Sequence, residues 1–221
     1  MQPAGHGNTP AKPAVGVVLA GGASRRMGRD KALLAVGGAS LPARAAERLA
    51  AVCAEVAVAD RGRGLLGHLP SLPDGPGHGP AAGILGAAAA YPGRPLLVLA
   101  CDLPGVPAAL LAALAGAAEH DLALPRWRRG VEPLCAFYGP AALAVLGENV
   151  GRGLHAPHRL AADRRLAVRF LEGDLLARFG PPEELFLNLN TPEEMARYAS
   201  ISAGTSPQRP QGQIWRRKSK R

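Results

Sequence analysis

A chain of 221 residues is long enough for one α/β domain with a complete core and short for two. Its hydrophobic fraction of 48% is swollen by alanine, aromatics are only 4%, no apolar run reaches bilayer length, and residues 1 to 13 lack the pattern of a secretory signal, so a cytoplasmic protein without a membrane partner is expected. The net charge of +9 would suit a nucleic-acid binder, but six of the 26 basic residues fall in residues 200 to 221, leaving 20 against 17 acids elsewhere, a net +3.

Residues 1 to 13 are rich in Pro and Gly and read as a flexible N-terminus. Ala14 to Leu19 is apolar and reads as a buried strand. Gly21 and Gly22 then form a turn that exposes backbone N–H groups, and Arg25, Arg26, Arg29 and Lys31 follow closely. Strand, glycine turn and dense positive charge together describe a place to hold a polyphosphate. A basic surface turn is the plainer alternative. The loop is no Walker A, because Lys31 follows Asp30 and not glycine, and it is no dinucleotide fingerprint, because Gly21 and Gly22 are adjacent.

Ser40 can cap a helix to about Cys53, with Leu41, Ala45, Leu49 and Val52 on one face. Glu55 to Val58 reads as a strand and is followed by a glycine-rich connection. Pro80 opens an alanine-rich helix to about Ala90, and Leu96 to Cys101 suits a central parallel strand buried on both faces. Asp102 follows at once, at the strand end where such sheets bind ligands, and its carboxylate is a hard oxygen donor of the kind Mg²⁺ prefers. A turn cap before Pro104 would use the same residue. Pro107 starts a helix carrying Leu110, Leu111 and Leu114. Further strands are expected at Asp121 to Leu124, Leu134 to Tyr138, Leu166 to Leu171 and near Leu187 to Leu189. Thr191-Pro-Glu-Glu194 opens the last helix with a capping box.

The alternation of strands and helices predicts a single three-layer α/β/α Rossmann-like domain over residues 14 to 199, with a mostly parallel mixed sheet. Residues 200 to 221 read as a basic disordered tail. Trp215 among Arg216, Arg217 and Lys218 could stack on a base, but the body holds no recognised nucleic-acid module and no nucleic-acid partner is expected. Cys53, Cys101 and Cys135 are odd in number and widely spaced in apolar segments, which predicts buried free thiols.

Leu19-Ala-Gly-Gly-Ala-Ser-Arg-Arg-Met-Gly-Arg-Asp-Lys31 resembles the signature L-A-G-G-x-S-x-R-M-G-x-D-K of nucleotidyltransferases of the molybdenum-cofactor guanylyltransferase (MobA-like) family, with every fixed position present. The resemblance implies that Leu19, Ala20, Gly21 and Gly22 contact the nucleotide while Arg26 and Lys31 embrace its triphosphate. It gives Asp102, in Cys101-Asp-Leu-Pro104, the role of Mg²⁺ ligand. Gly79-Pro-Ala-Ala-Gly83 matches the family's G-P-x-A-G element against the base, and Asp74 falls near a base- or ribose-contacting aspartate, though a turn role is open to it. Asn188 and Asn190 match its N-x-N-T-P-E element; on a strand they would share a face toward phosphate or metal-bound water, and otherwise they would serve a cap around Thr191. Glu132-Pro133 also resembles the family but reads more simply as a strand start.

Gly151 to His155 and His158 fall where these enzymes meet the second substrate, with Arg152 a candidate for the pterin phosphate. One departure stands out: Val58 occupies a position where some members carry a nucleotide-contacting asparagine, so either Asp60 substitutes or that contact is missing. The implied reaction is Mg²⁺-dependent transfer of GMP from GTP to the terminal phosphate of molybdopterin or molybdenum-molybdopterin, releasing pyrophosphate. The implied partners are those substrates and, transiently, molybdopterin-delivering proteins or recipient molybdoenzymes. A sister cytidylyltransferase activity is the nearest competitor, but that group resembles T-A-A-G where this chain reads L-A-G-G.

Overall fold

The computed structural model describes residues 13–21, 35, 36, 38–189 and 191–204. In chain order its elements are β1 (Val15–Leu19), β2 (Ala35–Val36), β3 (Ala39–Ser40), α1 (Leu41–Ala50), β4 (Val56–Ala59), β5 (Ser71–Leu72), α2 (Pro80–Ala90), β6 (Leu96–Ala100) and α3 (Ala108–Ala115). They continue with β7 (Leu122–Trp127), β8 (Gly130–Val131), β9 (Cys135–Tyr138), α4 (Pro140–Gly151), a 3₁₀ turn (Pro157–Ala162), β10 (Val168–Leu171), α5 (Gly173–Ala177), α6 (Pro182–Leu185) and α7 (Pro192–Gly204).

The helix starts follow local chemistry. The Ala43 N–H donates to the Ser40 hydroxyl at 3.3 Å, and proline sits in the first turn of α1, α2 and α4. At α7 the expected capping box is formed: Thr191 N–H donates to Glu194 Oε2 at 2.9 Å, and Glu194 N–H to Thr191 Oγ1 at 3.2 Å. α1 stops at Ala50, before the expected Cys53, although the Cys53 N–H still reaches Leu49 C=O at 2.7 Å.

The main sheet runs β10-β7-β9-β6-β1-β4-β5, with β8 paired to β7. β1 lies parallel to both β4 and β6, β4 to β5, and β10 to β7; β9 runs antiparallel between β6 and β7. Strand side chains alternate between two cores. Val18, Val56, Val58, Leu97 and Leu99 meet α1 and α3 on one face; Val15, Val17, Ala57, Ala59, Leu96 and Val98 meet α2 and α4 on the other. β6 is buried along its whole length, as its LLVLA run requires. The result is the three-layer arrangement expected from the alternation of elements.

The strand expected near Leu187 to Leu189 is absent. The Leu189 N–H instead makes a single bond to Asp102 C=O at 3.0 Å, which docks the segment beside the tip of β6 without a ladder. α4 was not anticipated, and α7 runs on to Gly204, into the segment read as tail. Cys53, Cys101 and Cys135 are buried and none of them forms a disulfide. Burial pushes the Cys53 thiol up to about 11 and the Cys135 thiol well above its ordinary value. Among the described residues no helix is long and apolar enough to cross a membrane.

Candidate functional site

The ladder between β1 and β6 sets the centre of the site. Leu19 pairs with Ala100, and the Cys101 N–H donates to Leu19 C=O at 3.1 Å, so pairing continues past both strand ends. Ala20 and Gly21 therefore lie beside Cys101 and Asp102, on the carboxyl edge where ligands of such sheets bind. Asp102 is half-buried. The turn after it is pinned from the C-terminal side, because Leu189 N–H reaches Asp102 C=O and Tyr198 OH donates to Pro104 C=O at 3.0 Å. The same docking brings Asn188, which is exposed, close to Asp102. The strand proposed to align Asn188 with Asn190 does not form, so a shared strand face no longer supports their pairing. Gly22, Arg26, Lys31 and Asn190 lie outside the described residues.

The opposite wall depends on close backbone approach. A Cβ on Gly86 would stand 2.1 Å from Pro73 C=O, and one on Gly75 would stand 2.6 Å from Gly86 N. Only glycines let the Pro73–Gly75 segment lie against α2, where Gly75 N–H donates to Ala82 C=O at 2.8 Å. This contact delivers Asp74 to the site: a Cβ on Gly83 would lie 3.2 Å from Leu19 Cδ2 and 3.9 Å from Asp74 Oδ1. Gly83, Leu19 and Asp74 thus border one surface. Gly79 caps α2 with φ of 66° and no side-chain hydrogen bond, leaving the first N–H groups of the helix uncapped by a side chain.

The tip of β4 answers the departure seen in the sequence. Val58 is packed in the core with 1% exposure, so it offers the site no polar contact. Asp60 is fully buried and its carboxylate is spent on its own loop. Oδ1 accepts from Arg63 N–H (3.2 Å) and from the Ser71 hydroxyl, and Oδ2 accepts from Leu65 N–H (2.8 Å). Its carboxylate builds the loop. Arg63 returns to β1, donating to Ala20 C=O at 2.7 Å and to Asp60 C=O at 2.9 Å. Arg61 extends beside Gly21 and pairs with Asp74 Oδ2 at 3.0 Å. Sequence reading passed over both arginines, and its only available signal was their position directly after a buried strand.

Glu132 is a second group read only as a strand start. The β6/β9 register pairs Leu99 with Cys135, and Ala100 N–H reaches Leu134 C=O at 2.8 Å. The chain turns into β9, with Cys135 N–H donating to Glu132 C=O at 3.3 Å, and this turn leaves Glu132 within reach of the Asp102 charge. Burial pushes the Glu132 carboxyl up to about 7, against a backbone N–H of Leu134 that favours the charged form; the Asp102 charge adds to the rise. Two carboxyl groups thus share this end of the sheet.

Further along the edge, His78, Gly79, Pro80, Gly153, Leu154, His155, Ala156 and Arg159 line an open cleft of about 430 Å³. The His78 and His155 rings meet edge to face with centroids 3.8 Å apart. His158 is exposed on the 3₁₀ turn, and among the described residues no group of three His, Cys, Asp or Glu could hold a metal.

Residues 16–166 match the family model described as MobA-like NTP transferase domain. The chain is 37% identical over 196 residues to a molybdenum cofactor guanylyltransferase from Cereibacter sphaeroides, covering 84% of this chain and 95% of that one. It is 34% identical over 193 residues to a molybdenum cofactor biosynthesis bifunctional protein from Synechocystis; the match takes in 82% of this chain but only 52%, about half, of that longer protein. Its fold is similar to that of molybdopterin-guanine dinucleotide biosynthesis protein A from Archaeoglobus fulgidus, with a TM-score of 0.73 at 24% identity over 87% of this chain and 100% of the other.

Proposed function

Because the chain belongs to the MobA-like NTP transferase family, whose members are nucleotidyltransferases, we propose that it transfers GMP from GTP to the terminal phosphate of molybdopterin or molybdenum-molybdopterin, leaving the guanine dinucleotide cofactor and pyrophosphate. The observation that carries this reading is the meeting of Leu19, Ala20 and Gly21 with Asp102 at adjacent strand tips. Guanylyltransferase relatives that align along nearly their whole length support the choice of nucleotide.

The chemistry asks little of protein nucleophiles. The acceptor is a phosphate monoester with a second pKa of about 6, so it is ionised near neutral pH. One of its oxygens forms a bond to the α-phosphorus of GTP, the bond from that phosphorus to the bridging oxygen breaks, and pyrophosphate leaves with the electron pair. The protein must align the two phosphates and offset their charge. N–H groups of the glycine turn, Arg26 and Lys31 would serve the triphosphate, while Gly79, Gly83 and Asp74 would receive the nucleoside.

Asp102, a half-buried carboxylate beside Gly21, is a donor that suits a hard divalent cation. Mg²⁺ held by Asp102 would offset the charge that builds on the phosphates. Asn188, beside Asp102, and Asn190 would orient phosphate oxygens or bound water.

Incubating the chain with molybdopterin, Mg²⁺ and each nucleoside triphosphate tests the proposal, with the product identified by mass. A guanine dinucleotide formed from GTP alone is the expected result. A cytosine dinucleotide, or no dinucleotide, overturns it.

A further inference from the structure

We propose that Arg61 is a positioning residue of the nucleotide site: its guanidinium holds one oxygen of Asp74 so that the other is presented to a hydrogen-bond donor of the nucleoside. The inference rests on the nucleotide-transfer reading above and goes beyond it by giving Arg61 a task.

Three observations converge on this residue. First, Arg61 has φ of 66°, the only positive φ of a non-glycine residue among those described. An L-residue with a long side chain is held there only by its surroundings. Those surroundings are present: the buried Asp60 carboxylate gathers the loop, and Gly62 N–H donates to Leu72 C=O at 3.1 Å. Second, this conformation sends the side chain across the tip of β1. Arg61 Nε lies 3.5 Å from the point where a Cβ on Gly21 would stand, and 3.0 Å from Asp74 Oδ2. Third, the main chain of Asp74 is fixed by the Gly75–Gly86 approach, and its free oxygen, Oδ1, points toward Gly83 and lies 3.9 Å from that residue's Cβ position.

Stability alone does not account for the arrangement. The side chains of Arg61 and Asp74 are 47% and 31% exposed, and pairs this open add little to folding. As a device for orientation the pair makes better sense. A carboxylate with one oxygen engaged by a guanidinium keeps the other as a directed acceptor. The arginine charge also offsets the repulsion between Asp74 and a nearby triphosphate. Arg63 has a different task, since its guanidinium is tied to Ala20 C=O and Asp60 C=O.

The donor presented to Oδ1 is a base N–H or a ribose hydroxyl, and analogues separate the two. The full chain is titrated with Mg²⁺ and GTP, ITP (which lacks the 2-amino group) or 2′-deoxy-GTP, without pterin. Arg61→Gly removes the guanidinium while tolerating the positive φ, and it is expected to weaken GTP binding about 10-fold, as loss of an aligned charged acceptor does. Asp74→Ala should weaken it similarly, and the double variant should be no weaker than the worse single variant. Arg61→Lys should recover part of the loss. The wild type should prefer GTP over the analogue that lacks the donor, and Arg61→Gly should lose that preference, an effect a merely structural role would not produce.

If Arg61→Gly does not fold, Arg61→Gln gives the same comparison. GTP affinity unchanged by loss of the guanidinium, or fully additive losses in the double variant, would overturn the role of Arg61 alone. A wild type that binds no nucleoside triphosphate would overturn the nucleotide-transfer reading, and this inference with it.

Discussion

Replacing Glu132 by glutamine should flatten one component of the pH dependence of stability. The carboxyl is pushed up to about 7 in the folded chain against 4.5 when exposed, because burial disfavours its charge and the Asp102 charge adds to the rise. A raised folded pKa means that the folded state binds the proton more tightly. Its contribution is therefore complete below about pH 4.5 and lost as pH rises through 7. At about 1.4 kcal/mol per unit, the whole interval corresponds to about 3.5 kcal/mol, an upper figure for a side chain that keeps some exposure. Glutamine has the same shape, keeps an oxygen to accept from Leu134 N–H, and carries no charge. Urea unfolding measured from pH 5 to 7.5 with chelator present should show the wild type losing up to about 2.4 kcal/mol relative to Glu132→Gln across that range. A wild-type-minus-variant difference that stays constant with pH would refute the placement of Glu132 beside Asp102.

Asp60→Ala should lower stability by about 2–4 kcal/mol, because it strands the Arg63 and Leu65 N–H groups and the Ser71 hydroxyl; calorimetry should show a fall in Tm of about 5–12 °C. An unchanged Tm would mean that the carboxylate does not organise the loop. Gly86→Ala drives a methyl against Pro73 C=O and should cost about 1–3 kcal/mol while weakening GTP binding through displacement of Asp74, measurable by unfolding and titration on one sample. Lys31→Ala and Asp102→Ala should each reduce turnover by about 10²-fold or more in a single-turnover assay. Near-normal rates in both would remove the assigned roles.

What could be read in the sequence was whatever depends on neighbours in the chain. Ser40, Pro80 and Thr191 announce helix starts because caps are satisfied within one turn, and LLVLA followed by Asp102 announces a buried strand with a carboxylate at its tip. Non-local geometry was hidden. Glu132 comes within reach of the Asp102 charge only through the turn that leads into β9, the strand inserted antiparallel beside β6. Arg61 and Arg63 look like surface charges in a glycine loop until the positive φ of Arg61 and the approach of β1 give them targets. Leu187 to Leu189 has a strand's composition, yet its edge finds one hydrogen bond at Asp102 and no ladder. α4 went unanticipated because its small and apolar residues, with Gly147 inside, give only a weak periodic signal.

The central claim is that the glycine turn after β1 and Asp102 grip one nucleoside triphosphate. The most direct test is a crystal structure of the chain with a non-hydrolysable GTP analogue and a divalent cation. The prediction is phosphate density over the Gly21 turn and a cation about 2 Å from an Asp102 oxygen. Phosphates bound elsewhere on the molecule, with Asp102 touching neither cation nor nucleotide, would contradict it.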